Sequence, residues 1–390
     1  MKDSEIIELN NTAKILGLNS RVHFYNADII KVVGDIAPFG KIAAVYTKNT
    51  FSDFGKDVTN NLKCANIKPL NFIMPENAVL NLSSVFDIIC VPDDVRAVLI
   101  FDRELMDLAA YIATLFKIPV IFALDCINTD GVLCAKVPFF WGANKSETDF
   151  FSVDCEYHVV ISDNACMFGN KTEQYISIYC KILSLIDYRI RLAICSGNSY
   201  EFERNIILNA IRIANFSYSA NNLLISGLKI ELANLASGGE ILFNSAEYSF
   251  KRLTGFKEEK DIRFSLIKKL INLYSLCVSE KDMPFTVPDY NKRVKELADI
   301  TKSDDGVFLK GFAAQIKALK GKDLLSVKAD LKDDINLISE EFKVVEENYS
   351  KLGGNPDADF ASYVKALKLC GDLPDTVNFM TVIRESGFLE

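Results

Sequence analysis

The sequence predicts two consecutive domains of different class: an N-terminal α/β domain with a parallel sheet over residues 1–163 and an all-helical domain over residues 164–390. Three observations lead to this prediction. Short apolar runs alternate with helical patterns as far as about residue 162, which is typical of βαβ units. The runs are nearly continuous, as expected for strands that are covered on both faces. After residue 164, long segments with helical periodicity follow one another.

The α/β domain is predicted to contain four sheet strands and a later two-strand excursion. The sheet strands are residues 41–46, 68–74, 96–101 and 119–124, and the excursion consists of 132–137 and 157–161. Helices are predicted between them at 51–64 and 104–116. The apolar stretch 108–124 approaches the length of a membrane span, but Lys117 and Pro119 interrupt it. A helix followed by a buried strand explains this stretch, so we expect no membrane segment.

The helical domain is predicted from periodicity and punctuation. Four segments have helical spacing, namely residues 206–216, 241–253, 262–276 and 324–349. Glycine and proline lie near the expected helix ends, as they do where helices stop. The last segment is rich in charge and carries an apolar stripe, which predicts a solvated amphipathic helix.

Composition excludes several classes of protein. The 390 residues include 44 Lys+Arg against 52 Asp+Glu, a formal net charge of −8, and 49% are hydrophobic. That composition is globular, and the acidic balance without a basic stripe argues against a nucleic-acid partner. Ten cysteines are scattered without a Cys-x-x-Cys pair. They indicate buried thiols in a reducing compartment, and with no signal-peptide pattern we expect a cytoplasmic location.

A set of motifs between residues 45 and 242 resembles a known family. Its parts are residues 45–50, residues 100–113, Ile118-Pro119-Val120, Asn128-Thr129-Asp130-Gly131 and residues 235–242. In order and spacing they resemble the glycerol dehydrogenase and glycerol-1-phosphate dehydrogenase branch of the dehydroquinate synthase-like superfamily, which also contains the iron-containing alcohol dehydrogenases. The resemblance implies a Rossmann-like N-terminal domain, a C-terminal helical domain and a ligand site in the cleft between them.

The resemblance also implies where a dinucleotide would bind. In such enzymes a glycine-rich turn lets backbone N–H groups approach the pyrophosphate. The matching positions here are Phe101, Asp102 and Arg103, so the glycines are absent and Asp102 brings negative charge. Asp107 matches the aspartate that closes the motif, and Thr129 matches a position in the cleft. Asp102, Arg103, Asp107 and Thr129 are therefore the candidate cofactor contacts.

For the metal, the resemblance implies one aspartate and two histidines. Asp130 matches the carboxylate ligand, although Asp130-Gly131 is also a common turn sequence. At the first histidine position the chain has Ile241, and the second falls at Ile262 or a neighbour. Glu240, beside the first position, is a candidate oxygen ligand for Mg²⁺ or Mn²⁺, or else a helix N-terminal carboxylate.

The histidine count argues against a catalytic metal centre. The chain contains only His23 and His158, and no histidine follows residue 158. Both lie in strand-like runs, which favours a structural role over ligation or general-base chemistry. A dyad of Cys155 with His158 is disfavoured because a spacing of three in a strand points the side chains to opposite faces.

Three hypotheses follow. The first is a degenerate glycerol-1-phosphate dehydrogenase-like protein that has lost metal-dependent hydride transfer, binds no cofactor, and binds a small molecule or has a regulatory role in the interdomain cleft. The second is an active NAD(P)-dependent oxidoreductase for glycerol-1-phosphate, dihydroxyacetone phosphate or a related polyol, with a remodelled site for Zn, Fe, Mg or Mn. The third is a lyase or phosphate-handling enzyme in the same cleft. A homodimer is expected from the family.

Overall fold

The computed structural model of the chain describes residues 1–76, 78–84, 92–140, 148–171, 173–178, 181, 205–206, 208–209, 212, 219–237, 262–279 and 324–351. The strands are β1 (Val22–Tyr25), β2 (Lys41–Thr47), β3 (Lys68–Met74), β4 (Val95–Ile100), β5 (Val120–Leu124), β6 (Lys136–Phe140), β7 (Thr148–Ser152) and β8 (Tyr157–Ile161). The helices are α1 (Asp3–Ile15), α2 (Ile29–Ile36), α3 (Lys48–Thr50), α4 (Lys56–Cys64), α5 (Met106–Phe116), α6 (Ala220–Ala236), α7 (Ile262–Ser279) and α8 (Leu324–Lys351).

Short helical turns join some of these elements. A π-helical turn, Phe51–Gly55, connects α3 to α4, and the 3-10 turn Arg103–Leu105 leads into α5. Side chains cap the N-terminal ends of α2 and α6. At α2, Asp28 accepts from the backbone N–H groups of Ile30 and Lys31. At α6, Ser219 accepts from the backbone N–H of Asn222. Such caps satisfy donors that the first helical turn leaves without partners.

Six strands form one parallel sheet in the order β1-β8-β5-β4-β2-β3. The chain passes from β2 to β3 on one side and then crosses back to β4 on the other side of β2. In open parallel sheets such a reversal leaves a crevice at the carboxyl ends of the two central strands, where ligands commonly bind. Here that crevice lies between the ends of β2 and β4.

Helices cover both faces of the sheet and create two apolar cores. One core joins α1, α5 and α6 to the first face, with Leu9, Ala109 and Leu228 among its buried side chains. The other joins α2 and α4 to the opposite face, with Val33 and Leu62 buried. Strands that are covered on both faces should be almost continuously apolar, and β2 and β4 have this composition.

The two edges of the sheet are closed by different means. At β1, the side chain of Asn10 donates to the carbonyl of Phe24 and accepts from its N–H, at 3.0 and 2.9 Å. An amide side chain from α1 thus takes the place of a neighbouring strand. At β3, Pro69 removes one donor from the edge strand. Both devices disfavour pairing with another chain.

Most of the predicted α/β elements are confirmed, but the prediction of which two strands form the excursion outside the sheet is wrong. Residues 157–161 form β8, in the middle of the sheet between β1 and β5. The antiparallel pair outside the sheet is instead β6 with β7. All five residues of β8 are buried, which suits a strand covered on both faces better than an exposed hairpin.

The chain divides into two compact units, residues 1–174 with 218–239 and residues 175–217 with 240–390. The predicted domain boundary after residue 163 stays a prediction, and helix α6, which lies beyond it in the sequence, packs with the first unit. Predicted helices at 262–276 and 324–349 are confirmed as α7 and α8. The predicted helix at 241–253 lies outside the described residues, as does part of that at 206–216.

In the second unit, α7 and α8 pack against each other along apolar stripes. The stripe of α8 consists of Leu331, Ile335, Ile338 and Phe342. Phe342 stacks on Phe264 of α7, and one turn further along both helices Lys268 Nζ lies 2.6 Å from Glu346 Oε1. The two helices therefore run in the same direction. None of the described helices combines the length and apolar composition that a membrane crossing requires.

Candidate functional site

The crevice between the ends of β2 and β4 is the place where the fold predicts a ligand. Thr47 ends β2, and Asp102 follows β4 after one residue. The Asp102 carboxylate accepts from the backbone N–H of Thr47 at 2.9 Å and from its hydroxyl at 3.4 Å, and it accepts a short hydrogen bond from the Thr50 hydroxyl. The carboxylate therefore ties the end of β4 to the turn after β2.

Aromatic rings fill the space beside this tie. Phe101 stacks on Tyr46 with ring centroids 5.5 Å apart and planes 8° from parallel, and the edge of Phe54 meets Phe101 at 5.3 Å. Tyr46 is fully buried, and burial raises the pKa of its hydroxyl to about 12. A side chain at Gly55 would lie only 2.9 Å from the ring of Phe51, so the π-helical turn is tightly packed here.

The other residues of the expected glycine turn lie in the 3-10 turn after β4 and in the first turn of α5. Arg103 begins the 3-10 turn before α5 and is half-buried, whereas Glu104 is exposed. Asp107 lies in the first turn of α5, where the thiol of Cys134 points to its carboxylate with Sγ 3.8 Å away. Asp125, after β5, adds a further carboxyl whose pKa is raised by burial and by the charge of Asp102. The turn is therefore rich in carboxylates.

Thr129 belongs to a second polar cluster, which lies inside the protein. Its N–H donates to Gln174 Oε1 at 2.9 Å, and Gln174 Nε2 donates to its hydroxyl at 2.9 Å and to the carbonyl of Leu223 at 3.2 Å. Thr129 is 1% exposed and Gln174 is fully buried. At Gly227 of α6, a side chain would begin 2.0 Å from Gln174 Nε2 and 2.4 Å from Thr129 Oγ1. The hydrogen bonds of Thr129 are therefore made to a neighbouring side chain inside the protein, away from the surface.

The candidate metal ligands are not brought together in the described residues. Asp130 lies in the loop after β5. The next residue, Gly131, has a φ of 76°, in the left-handed region that favours glycine. Glu240 lies outside the described residues. No group of three histidine, cysteine or carboxylate side chains in the described part of the chain is arranged to hold a metal ion.

Both histidines lie elsewhere, near the amino ends of β1 and β8. The prediction that they are strand residues is confirmed: His23 lies opposite His158 in the register of the two strands, and their rings stack at 5.0 Å. Each Nε2 lies close to the same oxygen of Glu156, at 2.9 Å for His23 and 3.1 Å for His158. Cys155 lies in the loop before β8, outside the strand on which the spacing argument rested, and is buried in the core of the opposite face.

Known proteins resemble this chain in structure but not in sequence. No protein-family model and no curated protein matches it. Glycerol dehydrogenase from Schizosaccharomyces pombe superposes with a TM-score of 0.52 and 10% identity, covering 85% of this chain and 91% of that chain. An iron-containing alcohol dehydrogenase from Thermotoga maritima gives 0.54 and 11%, covering 94% and 97%. An archaeal alcohol dehydrogenase from a Red Sea brine pool gives 0.56 and 11%, covering 95% and 97%.

The chain has the fold of the iron-containing alcohol dehydrogenases. That fold agrees with the one that the sequence resemblance implies, a parallel-sheet domain together with a helical part. At 10–11% identity the likeness concerns the fold alone, so chemistry must be judged from this chain's own residues.

The residues at the crevice of this dehydrogenase fold are a poor match for a dinucleotide. A pyrophosphate at the turn after β4 would meet the Asp102 carboxylate, and two like charges about 4 Å apart repel by roughly 4 kcal/mol at an effective dielectric near 20. No glycine lies in the turn to permit close backbone approach. Half-buried Arg103 is the single cation within the 3-10 turn.

Several residues that shape this region have no local sequence signal. Gln174 and Gly227 are 45 and 98 positions from Thr129 in the chain, so their contact depends on the packing of α6. Glu156 contacts both histidines. It directly precedes β8, and no motif around it in the sequence indicates this contact. An alignment of relatives, in which paired positions vary together, is the kind of signal that reveals such contacts.

Proposed function

We propose that this chain has the dehydrogenase fold without metal-dependent hydride transfer, and that it binds a small molecule or has a regulatory role. The tie made by Asp102 carries this proposal. The Asp102 carboxylate lies where a pyrophosphate would have to bind, and it accepts hydrogen bonds from Thr47 and Thr50. Its neighbour Phe101 stacks on Tyr46. The crevice thereby contributes to the stability of the unit.

The number and the location of the histidines support the same proposal. Neutral imidazole is a preferred ligand of Zn²⁺ and Fe²⁺, and catalytic sites of this kind use three protein ligands. The whole chain has two histidines, and both share Glu156 at the amino ends of strands, away from the carboxyl edge. A metal at Asp130 would have to rely on oxygen or sulfur ligands.

Calorimetric titration of the purified protein with NADH and NADPH, with and without Zn²⁺ or Mg²⁺, tests the proposal. We expect no binding up to millimolar nucleotide. The double variant Phe101→Gly with Asp102→Gly removes the bulk and the charge together and should gain weak binding. Asp102→Asn is the matched control, because it removes the charge while Phe101 still occupies the turn.

An active NAD(P)-dependent oxidoreductase is the competing proposal, and the fold of its structural neighbours favours it. Micromolar binding of NADH or NADPH to the unaltered protein would contradict the loss of hydride transfer. The next assays would then use glycerol-1-phosphate and dihydroxyacetone phosphate, the substrates that the glycerol-1-phosphate dehydrogenase branch implies. Asp130→Ala would test the proposed metal ligand, since it should abolish turnover while leaving nucleotide binding unchanged.

A further inference from the structure

We propose that the two histidines form an acid-sensitive latch between the edge strand β1 and its neighbour β8, which opens when His158 takes up a proton. The latch consists of His23, Tyr25, Glu156 and His158. His23, Glu156 and His158 lie near the amino ends of β1 and β8, and Tyr25, the last residue of β1, reaches His158 with its hydroxyl. The Asp102 crevice lies at other strands, β2 and β4. The proposal is therefore independent of the proposed function.

The contacts of His158 assign its neutral tautomer. Nε2 lies 3.1 Å from a carboxylate oxygen of Glu156, and because an ionised carboxylate only accepts, Nε2 must carry the hydrogen. Nδ1 lies 2.9 Å from the hydroxyl of Tyr25, which then donates to it. The neutral ring thus has a partner at each nitrogen. It is also 8% exposed, so water has little access to replace either partner.

A second proton on His158 disrupts this arrangement. It would go to Nδ1, where the Tyr25 hydroxyl has to turn round and stop donating. The new charge would be buried and would stack 5.0 Å from His23, which contacts the same Glu156 oxygen. Burial lowers the pKa of His158 to about 4; the Glu156 carboxylate opposes this shift and His23 adds to it. The carboxylate nearest to the new charge is therefore one that His158 already shares with His23.

Within the part of the chain that the structure describes, Glu156 is the carboxylate that contacts both imidazole rings. Tyr25 has its pKa raised by burial, by Glu156 and by Asp35 of α2, so Asp35 acts on the phenol. On its other side His158 is the register partner of Ile121 of β5, which is apolar. A proton on His158 therefore gains no stabilising charge from the neighbouring strand.

The location favours local opening at β1. This strand has four residues, and on its outer side the Asn10 side chain takes the place of a strand. Short edge segments open at a lower free energy than the centre of a sheet. Release of β1 would expose the edge of β8, a surface that can pair with another strand.

The direction of the pH effect follows from the two states. In the open state His158 titrates near its ordinary pKa of 6.5, and in the closed state near 4. The closed state binds fewer protons, so its stability is complete above pH 6.5 and is lost as the pH falls toward 4. Between pH 8 and pH 5 the ratio of open to closed protein should rise about 30-fold.

Histidine NMR and hydrogen exchange test the latch in the full-length protein. With two histidines in the chain, isotope-labelled histidine gives two ring spectra, whose nitrogen shifts report each tautomer. We expect His158 to be protonated on Nε2 at pH 8. Protection factors of the amides in β1, corrected for intrinsic exchange, should fall about 30-fold between pH 8 and pH 5, while those in β4 stay constant.

Two variants separate the latch from general acid instability. His158→Gln supplies an N–H for Glu156 and an oxygen for Tyr25 but does not titrate in this range, so the fall in β1 protection should disappear. Tyr25→Phe removes the hydroxyl that donates to unprotonated Nδ1, so the closed-state pKa of His158 should rise toward 6.5 and the fall in β1 protection between pH 8 and pH 5 should become smaller. An unchanged fall in His158→Gln would overturn the proposal, as would a His158 that titrates at 6.5. If His158→Gln does not fold, a fall of unchanged size in Tyr25→Phe overturns it.

Discussion

Two polar clusters of the first unit differ in charge and in burial, although both contain residues that were expected to contact a cofactor. The Asp102 cluster is half-buried and joins a carboxylate to the N–H of Thr47 and the hydroxyl of Thr50. The Thr129 cluster is neutral and buried, and joins Gln174 to the backbone of α6. Water can partly replace the partners of the first cluster but not those of the second.

The two clusters therefore depend on close packing to different degrees. A buried polar group that loses its partner carries the full cost of desolvation, whereas a half-exposed group recovers hydrogen bonds from water. The Thr129 cluster also lies against a helix with no space at Gly227. Variants in the Thr129 cluster should therefore reduce the free energy of unfolding more than variants in the Asp102 cluster.

The largest effect is expected for Gly227→Ala. Its Cβ would begin 2.0 Å from Gln174 Nε2 and 2.4 Å from Thr129 Oγ1, and both of these side chains are buried. Overpacking together with broken hydrogen bonds should lower the free energy of unfolding by about 4 kcal/mol. Urea unfolding followed by circular dichroism measures this loss.

Gly34→Ala is the matched control for that prediction. Gly34 also lies in a helix, α2, but a Cβ at this position would have Ile67 Cδ1, at 4.0 Å, as its nearest neighbour. Alanine there should be neutral or should stabilise by roughly 0.5–1 kcal/mol, because glycine disfavours helix interiors. Equal effects of the two substitutions would show that the Thr129 cluster is looser than its distances indicate.

Gln174→Leu comes next. The change removes all the hydrogen bonds that Gln174 makes to Thr129 and Leu223, and leaves the Thr129 N–H buried without its acceptor. The expected loss is about 3 kcal/mol. Gln174→Glu has nearly the same shape but buries an acidic group, so comparing the two at pH 5 and pH 8 separates shape from charge. A loss below about 1 kcal/mol for Gln174→Leu would contradict the comparison.

Asp102→Ala should cost less, about 2 kcal/mol, which is the usual range for hydrogen bonds to a charged group. The substitution opens the crevice as well as weakening the tie to Thr47. Thermal unfolding measures the stability, and Asp102→Asn, which keeps one acceptor oxygen, should lose less. A cost larger than that of Gln174→Leu would reverse the ranking of the two clusters.

The smallest effect is expected for Thr50→Val. It removes one hydroxyl donor to Asp102 but leaves the Thr47 N–H in place. The expected loss is about 1 kcal/mol, since Asp102 is half-buried and water can supply another donor. Thr129→Val is its isosteric counterpart in the buried cluster and should cost more. Parallel urea titrations of the two variants give the comparison directly.

Much of the sheet could be predicted because β2, β4 and β5 are continuous apolar runs bounded by turns. The position of β8 could not, because both of its partners are distant in the sequence and parallel pairing has no local signal. Helix α6 escapes prediction for a different reason. Its residues from Leu223 to Leu235 are buried on every side, so the helix has no amphipathic stripe to detect.

The sequence was sufficient to predict where the candidate site residues lie in the fold, but not which residues they contact. Asp102 and Thr129 match motif positions, and each does lie at the end of a sheet strand or in the loop beyond it. Their hydrogen-bond partners lie 55 and 45 residues away. A single sequence cannot show which of its distant side chains will meet a carboxylate or a hydroxyl.

The pairing of β1 with β8 has a consequence for synthesis of the chain on the ribosome. Tyr25 and its contact His158 are 133 residues apart, so β1 leaves the ribosome on the order of ten seconds before β8 does. During that interval the strand has no partner for its inner side. Its outer side can already be occupied, because Asn10 and Phe24 are only 14 residues apart. Helix α1 thus supplies the nascent strand with early protection against pairing with neighbouring chains.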